Sequence, residues 1–302
     1  MLMLVDAPGL WYRSFHALPS SMRAPDGTQV NAVRGFCDGL ATLIRQHSPT
    51  GLVCAVDVDW RPAWRVELLP SYKAHRVAAD GTEAEPDELG HQVDTIVDLL
   101  AALGIPTAGA ADYEADDVLA TLARRADEPV SVVTGDRDLF QLVDDSKPVR
   151  VVYIGRGIAK ADTYDVTAVR DRFGVEPGQY ADFAVLRGDP SDGLPGVKGV
   201  GDKTAARLIT RYGNLERLLE ATTDPRAEGL TPRVRTALID SRVYAEAAIT
   251  VVRTVDDAPV PTVNGTIPPT PADPGKVDWF GDRYGLGGSL TRLREALWPN
   301  GS

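Results

Sequence analysis

Cysteine and histidine are scarce here: two cysteines, Cys37 and Cys54, and four histidines in 302 residues. Two thiols cannot build a disulfide scaffold, and they fit a reducing cytoplasm. Neither residue type falls at zinc-ligand spacing, which removes zinc as the source of chemistry. Long hydrophobic runs are missing too. The longest uncharged stretches are 99–111 and 258–272, both too short for a bilayer-crossing helix, and the second is full of Pro and Thr. Met1–Val5 lacks a basic region and meets Asp6 at once, so it does not read as a signal peptide. No calcium loop and no phosphate-binding Gly-x-x-x-x-Gly-Lys-Ser/Thr element occurs. Positive charge is in deficit, with 32 Lys and Arg against 43 Asp and Glu, a net charge of −11. That excludes coating of nucleic acid through bulk charge, but not contact through a few well-placed basic residues. What is present is apolar: 43% hydrophobic residues suffice for a core and exclude a disordered chain.

The first half alternates strand-like and helix-like segments. Apolar runs at Leu2–Val5, Leu52–Val56, Val130–Val133 and Val149–Ile154 read as strands. Ala32–Gln46, His91–Leu103 and Asp116–Ala126 carry apolar residues at helical spacing. This alternation predicts an α/β fold with a mostly parallel sheet and flanking helices. After about residue 165 the pattern turns helical, at Val166–Phe173, Tyr180–Leu186, Thr204–Tyr212, Leu215–Leu219 and Arg233–Val252. Residues 256–276 hold six prolines and read as a strap, and Gly288–Leu297 as a last helix. The expected division is therefore 1–165, an α/β core with an arch at about 60–90, and 166–302, a helical part with the strap. The arch splits by charge: Arg61, Arg65, Lys73 and Arg76 come first, then Asp80, Glu83, Glu85, Asp87 and Glu88.

Three apolar runs each deliver an Asp at or just past the carboxyl end: Asp6, Asp57 and Asp136. In a parallel sheet those ends line one edge, where open α/β folds bind ligands. Any one of them could be a helix cap or turn residue, but three in the same place are harder to explain so. Tyr113-Glu114-Ala115-Asp116-Asp117 adds three acids before a helix, more than capping needs. Asp136 and Asp138 bracket Arg137, and Asp189 and Asp192 form a further pair that also suits an Asx turn. All-oxygen donors select hard cations, Mg²⁺ or Mn²⁺. Many carboxylates from separate segments suit a two-metal phosphodiester site.

Leu194-Pro195-Gly196-Val197-Lys198-Gly199-Val200-Gly201-Asp202-Lys203-Thr204 continues into a Leu-Ile face ending at Ile209. Its glycines permit close backbone approach to a phosphate, and a helix start attracts an anion. The stretch over 194–212 reads as a helix–hairpin–helix for DNA backbone contact, with Gly196, Lys198, Gly199, Gly201, Lys203 and Thr204 as candidates.

Val5-Asp6 with Tyr12–Leu18, Tyr72-Lys73 with Arg76, Tyr113–Val118, Thr134–Leu139 and Gly188–Val197, in this order, resemble the 5′ nuclease family. Its members are the flap endonucleases and the N-terminal 5′→3′ exonuclease domain of bacterial DNA polymerase I. The motifs span residues 4 to about 290 with no polymerase portion after them, as in a stand-alone bacterial flap endonuclease. The resemblance implies a PIN-like nuclease core and a helix–three-turn–helix DNA element. It implies Mg²⁺- or Mn²⁺-dependent cutting of 5′ flaps and 5′ ends in replication and repair. By position Asp6, Asp57 and Asp116 match ligands of a first metal, and Asp116, Asp136 and Asp138 those of a second. Glu114, Asp117, Asp189 and Asp192 would bind through water or support a further ion. Lys73 and Arg76 match basic residues beside the scissile phosphate, and Tyr72 an aromatic that stacks on a base. Arg13 and His16 match the segment after the first metal Asp, with Arg61 and Arg65 as further DNA contacts. A K⁺ at the hairpin turn is compatible. Expected partners are flap or branched DNA and RNA/DNA hybrid, with a polymerase or ligase, for a monomer in the bacterial nucleoid and no membrane. The alternatives are a DNA-binding protein that does not cut, or a PIN-type ribonuclease. One departure stands out: the family usually has Asn where this chain has Gly193. Setting the nine candidate acids aside leaves 34 acids against 32 bases, so the acid excess is mostly the proposed site.

Overall fold

The structure, a computed structural model, describes residues 1–78, 81, 84 and 86–299. Six strands form one sheet: β1 (Leu2–Asp6), β2 (Gly51–Ala55), β3 (Thr107–Ala108), β4 (Val130–Thr134), β5 (Val149–Tyr153) and β6 (Asp162–Tyr164). Their spatial order is β3-β2-β1-β4-β5-β6, parallel except for β6 against β5. Helices α1 (Ala7–Ala17), α2 (Asn31–His47), α3 (Ala63–Leu68), α4 (Asp87–Leu103) and α5 (Ala115–Arg125) alternate with the strands. Then follow α6 (Val166–Phe173), α7 (Tyr180–Arg187), α8 (Asp202–Tyr212), α9 (Leu215–Ala221), α10 (Pro232–Asp240), α11 (Arg242–Val252), α12 (Pro274–Arg283) and α13 (Gly287–Leu297). Among the described residues no helix is long and apolar enough to cross a membrane.

Strand pleating sends alternate residues to opposite faces, and each face has its own core. Leu4, Val132 and Val151 face α5 and the helices from α7 to α11. Met3, Val5, Val133 and Val152 face α1, α2, α4, α12 and α13. The last two helices thus return to the α/β part, across the division expected at residue 165.

Three local differences from the sequence reading have clear causes. The helices α1 and α12 follow an Asp cap and an early Pro, Asp6 with Pro8 and Asp273 with Pro274, and proline tolerates only the first helical turn. Arg233–Val252 is two helices, broken at Ser241, which bonds back to Ala237 and opens α11. The strands β3 and β6 have two and three residues, too few for a period to show. The proline-rich strap crosses the start of β2, where Leu52 N–H donates to the Gly265 carbonyl at 2.7 Å.

Candidate active site

Strand order changes direction between β1 and β4, so their carboxyl ends border the crevice where such sheets bind ligands. Asp6 ends β1, and Asp57 and Asp136 lie just beyond β2 and β4. Hydrogen bonds tie these ends together. Gly9 N–H donates to Asp6 Oδ1 at 2.8 Å, making Asp6 also the cap of α1. Thr134 Oγ1 donates to Asp6 Oδ2 at 2.9 Å and accepts from Asp136 N–H at 2.9 Å. Asp136 Oδ1 accepts from Asp138 N–H at 2.8 Å. Asp57 Oδ1 accepts from Ala115 N–H at 2.6 Å, which brings the first turn of α5, and with it Asp116, to the same edge.

Burial raises the carboxyls of Asp6, Asp116 and Asp138, and the charge of Asp136 raises each further. Burial raises Asp57 as well, against the opposing pull of Lys73. Asp192 is pushed up to about 6 by burial, with Lys73 pulling it down and Asp136 pushing it up. The charge of Asp136 therefore bears on four other carboxylates, three of them from segments other than its own.

A hard cation fits this donor set. Asp138 Oδ1 is buried and has no hydrogen-bond partner among the described residues. Such an orphan costs about 1–3 kcal/mol, more when charged, unless a cation or water meets it. A cavity of about 20 Å³ lies among Tyr72, Glu114, Asp116, Asp138 and Asp192. The carboxylates ring the crevice without converging on a point: among the described residues no three His, Cys, Asp or Glu side chains form a group able to hold one ion. Like charges favour separation of bare carboxylates, so these side chains would have to rotate inward to hold one ion together.

Basic groups enter from the chain after β2. Lys73 Nζ donates to Glu114 Oε2 at 2.6 Å and to the Trp60 carbonyl at 3.2 Å. Arg76 reaches the Ser191 carbonyl at 2.6 Å and Asp192 Oδ1 at 3.1 Å. Of the arch, α3 and the one-turn 3₁₀ segment Ala74–Arg76 are seen. Asp80, Glu83, Glu85 and the Asp87 side chain lie outside the described residues.

Several candidates have other work. Asp117 is fully buried, and both its oxygens are taken by the Arg65 guanidinium at 2.7 and 2.8 Å. Val255 N–H adds 2.8 Å to Asp117 Oδ1, so this acid is an internal anchor rather than a metal ligand. Arg65, 3% exposed, correspondingly cannot meet DNA. Tyr72 is buried, and its hydroxyl lies 3.0 Å from both Glu114 oxygens, so its ring cannot stack on a base. Arg61 braces the loop through the carbonyls of Tyr72 and Pro70, and Arg13 holds those of Gly135 and Gly155. Asp189 caps its own turn through Ser191 N–H and lies 3.2 Å from Arg187.

In the hairpin, Gly196 gives its N–H to the Tyr244 hydroxyl at 3.1 Å and is not open to phosphate. Lys198, Gly199, Gly201 and Lys203 are exposed, and Thr204 is half-buried. Gly201, as cap of α8, has no side chain to cover the first N–H groups. Two further residues lie beside these candidates, Arg233, which is in none of the sequence motifs, and Tyr12, which stands in the motif after Asp6. Arg233 of α10 overhangs the hairpin, its guanidinium 3.7 Å from where a Gly199 side chain would begin. Tyr12, exposed on α1, lies 4.4 Å from the His16 ring, centre to centre. Arg233 lies in the first turn of α10, which the sequence pattern merges with α11 into one helix.

Comparison with known proteins agrees with this architecture. Residues 1–174 match the family described as 5′-3′ exonuclease, N-terminal resolvase-like domain, and residues 175–274 the 5′-3′ exonuclease, C-terminal SAM fold. A 5′-3′ exonuclease of Streptomyces coelicolor is 49% identical over 98% of this chain and 99% of its own length. DNA polymerase I of Mycobacterium bovis is 44% identical over 72% of this chain and 24% of the polymerase. The bacteriophage T5 protein co-crystallised with metal ions has the same fold, with a TM-score of 0.67 at 17% identity over 98% of this chain and 97% of that one. The catalytic core of Rad2 in complex with DNA substrate superposes at 0.59 with 20% identity, covering 98% and 91%. With both halves of the sequence matched in order and the fold shared throughout, the chain belongs to the 5′-3′ exonuclease family.

Proposed function

We propose that this protein is a divalent-metal-dependent 5′ nuclease that cuts 5′ flaps and trims 5′ ends of DNA in replication and repair. The observation that carries the reading is the ring of Asp6, Asp57, Asp116, Asp136, Asp138 and Asp192 at the carboxyl edge of one sheet, with Lys73 beside it. Two or more Mg²⁺ or Mn²⁺ ions held by these acids would supply the Lewis acid and the activated water of phosphodiester hydrolysis. The chain's own residues bind and orient. Lys73 and Arg76 offer fixed positive charge to a phosphate entering an otherwise acidic crevice. Lys198, Lys203, Thr204, the hairpin N–H groups and Arg233 hold duplex phosphates without reading bases. The Tyr12–His16 pair offers an aromatic surface to a base near the crevice. The finer reading includes a K⁺ on the carbonyls of the 197–201 turn and activity on RNA/DNA hybrid. It also includes a monomer working beside a polymerase or ligase in the bacterial nucleoid.

The test is cleavage of a labelled 5′-flap duplex in Mg²⁺. Asp136→Asn and Asp116→Asn should each slow cutting by about a thousandfold, several kcal/mol of lost charge stabilisation, while flap binding in Ca²⁺ persists. Cutting that survives both changes refutes the metal assignment. A wild type that binds flaps and never cuts in Mg²⁺ or Mn²⁺ is a binding protein, and preference for single-stranded RNA marks a ribonuclease.

A further inference from the structure

Two left-handed backbone positions meet beside the acid ring. Gly193 follows the short turn Pro190–Asp192 with φ +73° and ψ +23°. Lys73 is left-handed as well, at φ 49° and ψ 18°, an uncommon state for a residue with a long side chain. A Cβ at position 193 would lie 2.2 Å from the Ser71 carbonyl oxygen and 3.2 Å from its carbon. These are backbone atoms, so no side-chain rotation relieves the overlap. The Ser71 carbonyl thus occupies the space that any side chain at 193 would fill. Across this contact Lys73 N–H donates to the Asp192 carbonyl at 3.0 Å. Arg76 grips the Ser191 carbonyl and Asp192 Oδ1, and Arg61 holds the Tyr72 carbonyl at 2.6 Å from the other side.

We propose that Gly193 is a positioning residue for Lys73. By admitting the Ser71 carbonyl it latches the 71–73 turn onto the Asp192 loop. The latch fixes the left-handed Lys73 so that its ammonium rests on Glu114, near Asp57 and Asp192, before any DNA arrives. The base of the arch is then assembled in the free protein, and DNA binding need not order it. In this chain's geometry a side chain at 193 would have to push the Ser71 turn outward, and Lys73 with it. Displacing a charged group by about 1 Å at a reacting centre costs roughly a hundredfold in rate. The kinetic part of this inference rests on the nuclease reading above, whereas its structural part does not.

Gly193→Asn is the informative variant, because Asn tolerates a left-handed backbone and leaves the overlap with Ser71 as the main change. It should lower kcat on a 5′ flap by about tenfold to a hundredfold, with KM and the Kd for flap in Ca²⁺ within about threefold. Combined with Lys73→Ala, it should add no further loss, because it acts through Lys73. Full activity of Gly193→Asn, or losses that multiply in the double variant, would overturn the proposal. Amide hydrogen exchange on the DNA-free wild type needs neither a stable variant nor nuclease activity. The Lys73 amide should be protected there, and exchange as fast as in an open loop would overturn the latch even if the protein cuts DNA.

Discussion

Replacing Asp117 with Asn keeps its size and deletes its charge, which separates the two roles an acid in this segment can have. In the structure Oδ1 accepts from Arg65 Nη2 and Val255 N–H, each at 2.8 Å. Oδ2 accepts from Arg65 Nη1 at 2.7 Å and Glu114 N–H at 3.2 Å. An amide has one oxygen, so two of these four donors would face an NH₂ group. The Arg65 charge would remain buried with Glu114 at 3.6 Å as its nearest acid. Breaking one side of a buried ion pair costs about 3–5 kcal/mol. That is a large part of the roughly 5–15 kcal/mol that holds a domain together. Urea unfolding should show Asp117→Asn losing about that amount, while Mn²⁺ affinity, measured calorimetrically where the variant is folded, stays within about threefold. Asp138→Asn should do the reverse, because its orphaned oxygen supports no fold contact: little stability lost and metal affinity collapsed. Replacing both partners of the pair, Arg65→Met with Asp117→Leu, should recover most of the loss. An Asp117→Asn protein of wild-type stability whose Mn²⁺ affinity falls more than about tenfold would rule out the anchor role and return Asp117 to the metal site.

Three further outcomes follow from the same geometry. Burial raises Asp6, Asp57, Asp116, Asp138 and Asp192 above the ordinary carboxylate range, so each holds its proton more tightly folded than unfolded. Stability of the metal-free protein therefore falls as pH rises from about 4 through these raised values. The melting temperature in EDTA should be higher at about pH 4.5 than at about pH 7, the span that covers the raised Asp192, and Mg²⁺ should narrow the gap; equal midpoints in EDTA would contradict the burial of charge. Arg233→Ala should weaken flap binding equally for all sequences and reduce the salt slope of log Kd by about one, whereas an unchanged slope would remove Arg233 from the phosphate surface. Flap affinity, read by fluorescence anisotropy, should rise when inert Ca²⁺ is added to metal-free protein, because bare acids repel phosphate; a fall would contradict the acid ring.

Much of the site was legible because its acids sit at the ends of apolar runs. Asp6, Asp57 and Asp136 follow from strand length alone, and Asp116 from the helix start. What the sequence hides is which acid faces the crevice and which faces inward. Asp116 and Asp117 are adjacent in a motif, but the helical turn sends Asp117 to Arg65 and the α11 end. Likewise Tyr72 and Lys73 are neighbours, yet the left-handed Lys73 puts the ring in the core and the ammonium at the site. The basic strip at 61–76 reads as a DNA surface by charge, whereas Arg61 and Arg65 are spent on carbonyls and on Asp117. The fold class and most elements followed from periodicity, and the short edge strands and the Asp-Pro helix starts did not.

In the proposed function, carboxylates from separate strands and α5 hold divalent metal in one crevice. Crystals soaked in Mn²⁺ and measured for anomalous scattering test it directly. Manganese should appear between Asp6, Asp57 and Asp116 and beside Asp136 and Asp138, with Asp117 still on Arg65. Manganese absent from that crevice, or bound through Asp117 with Arg65 displaced, would contradict it.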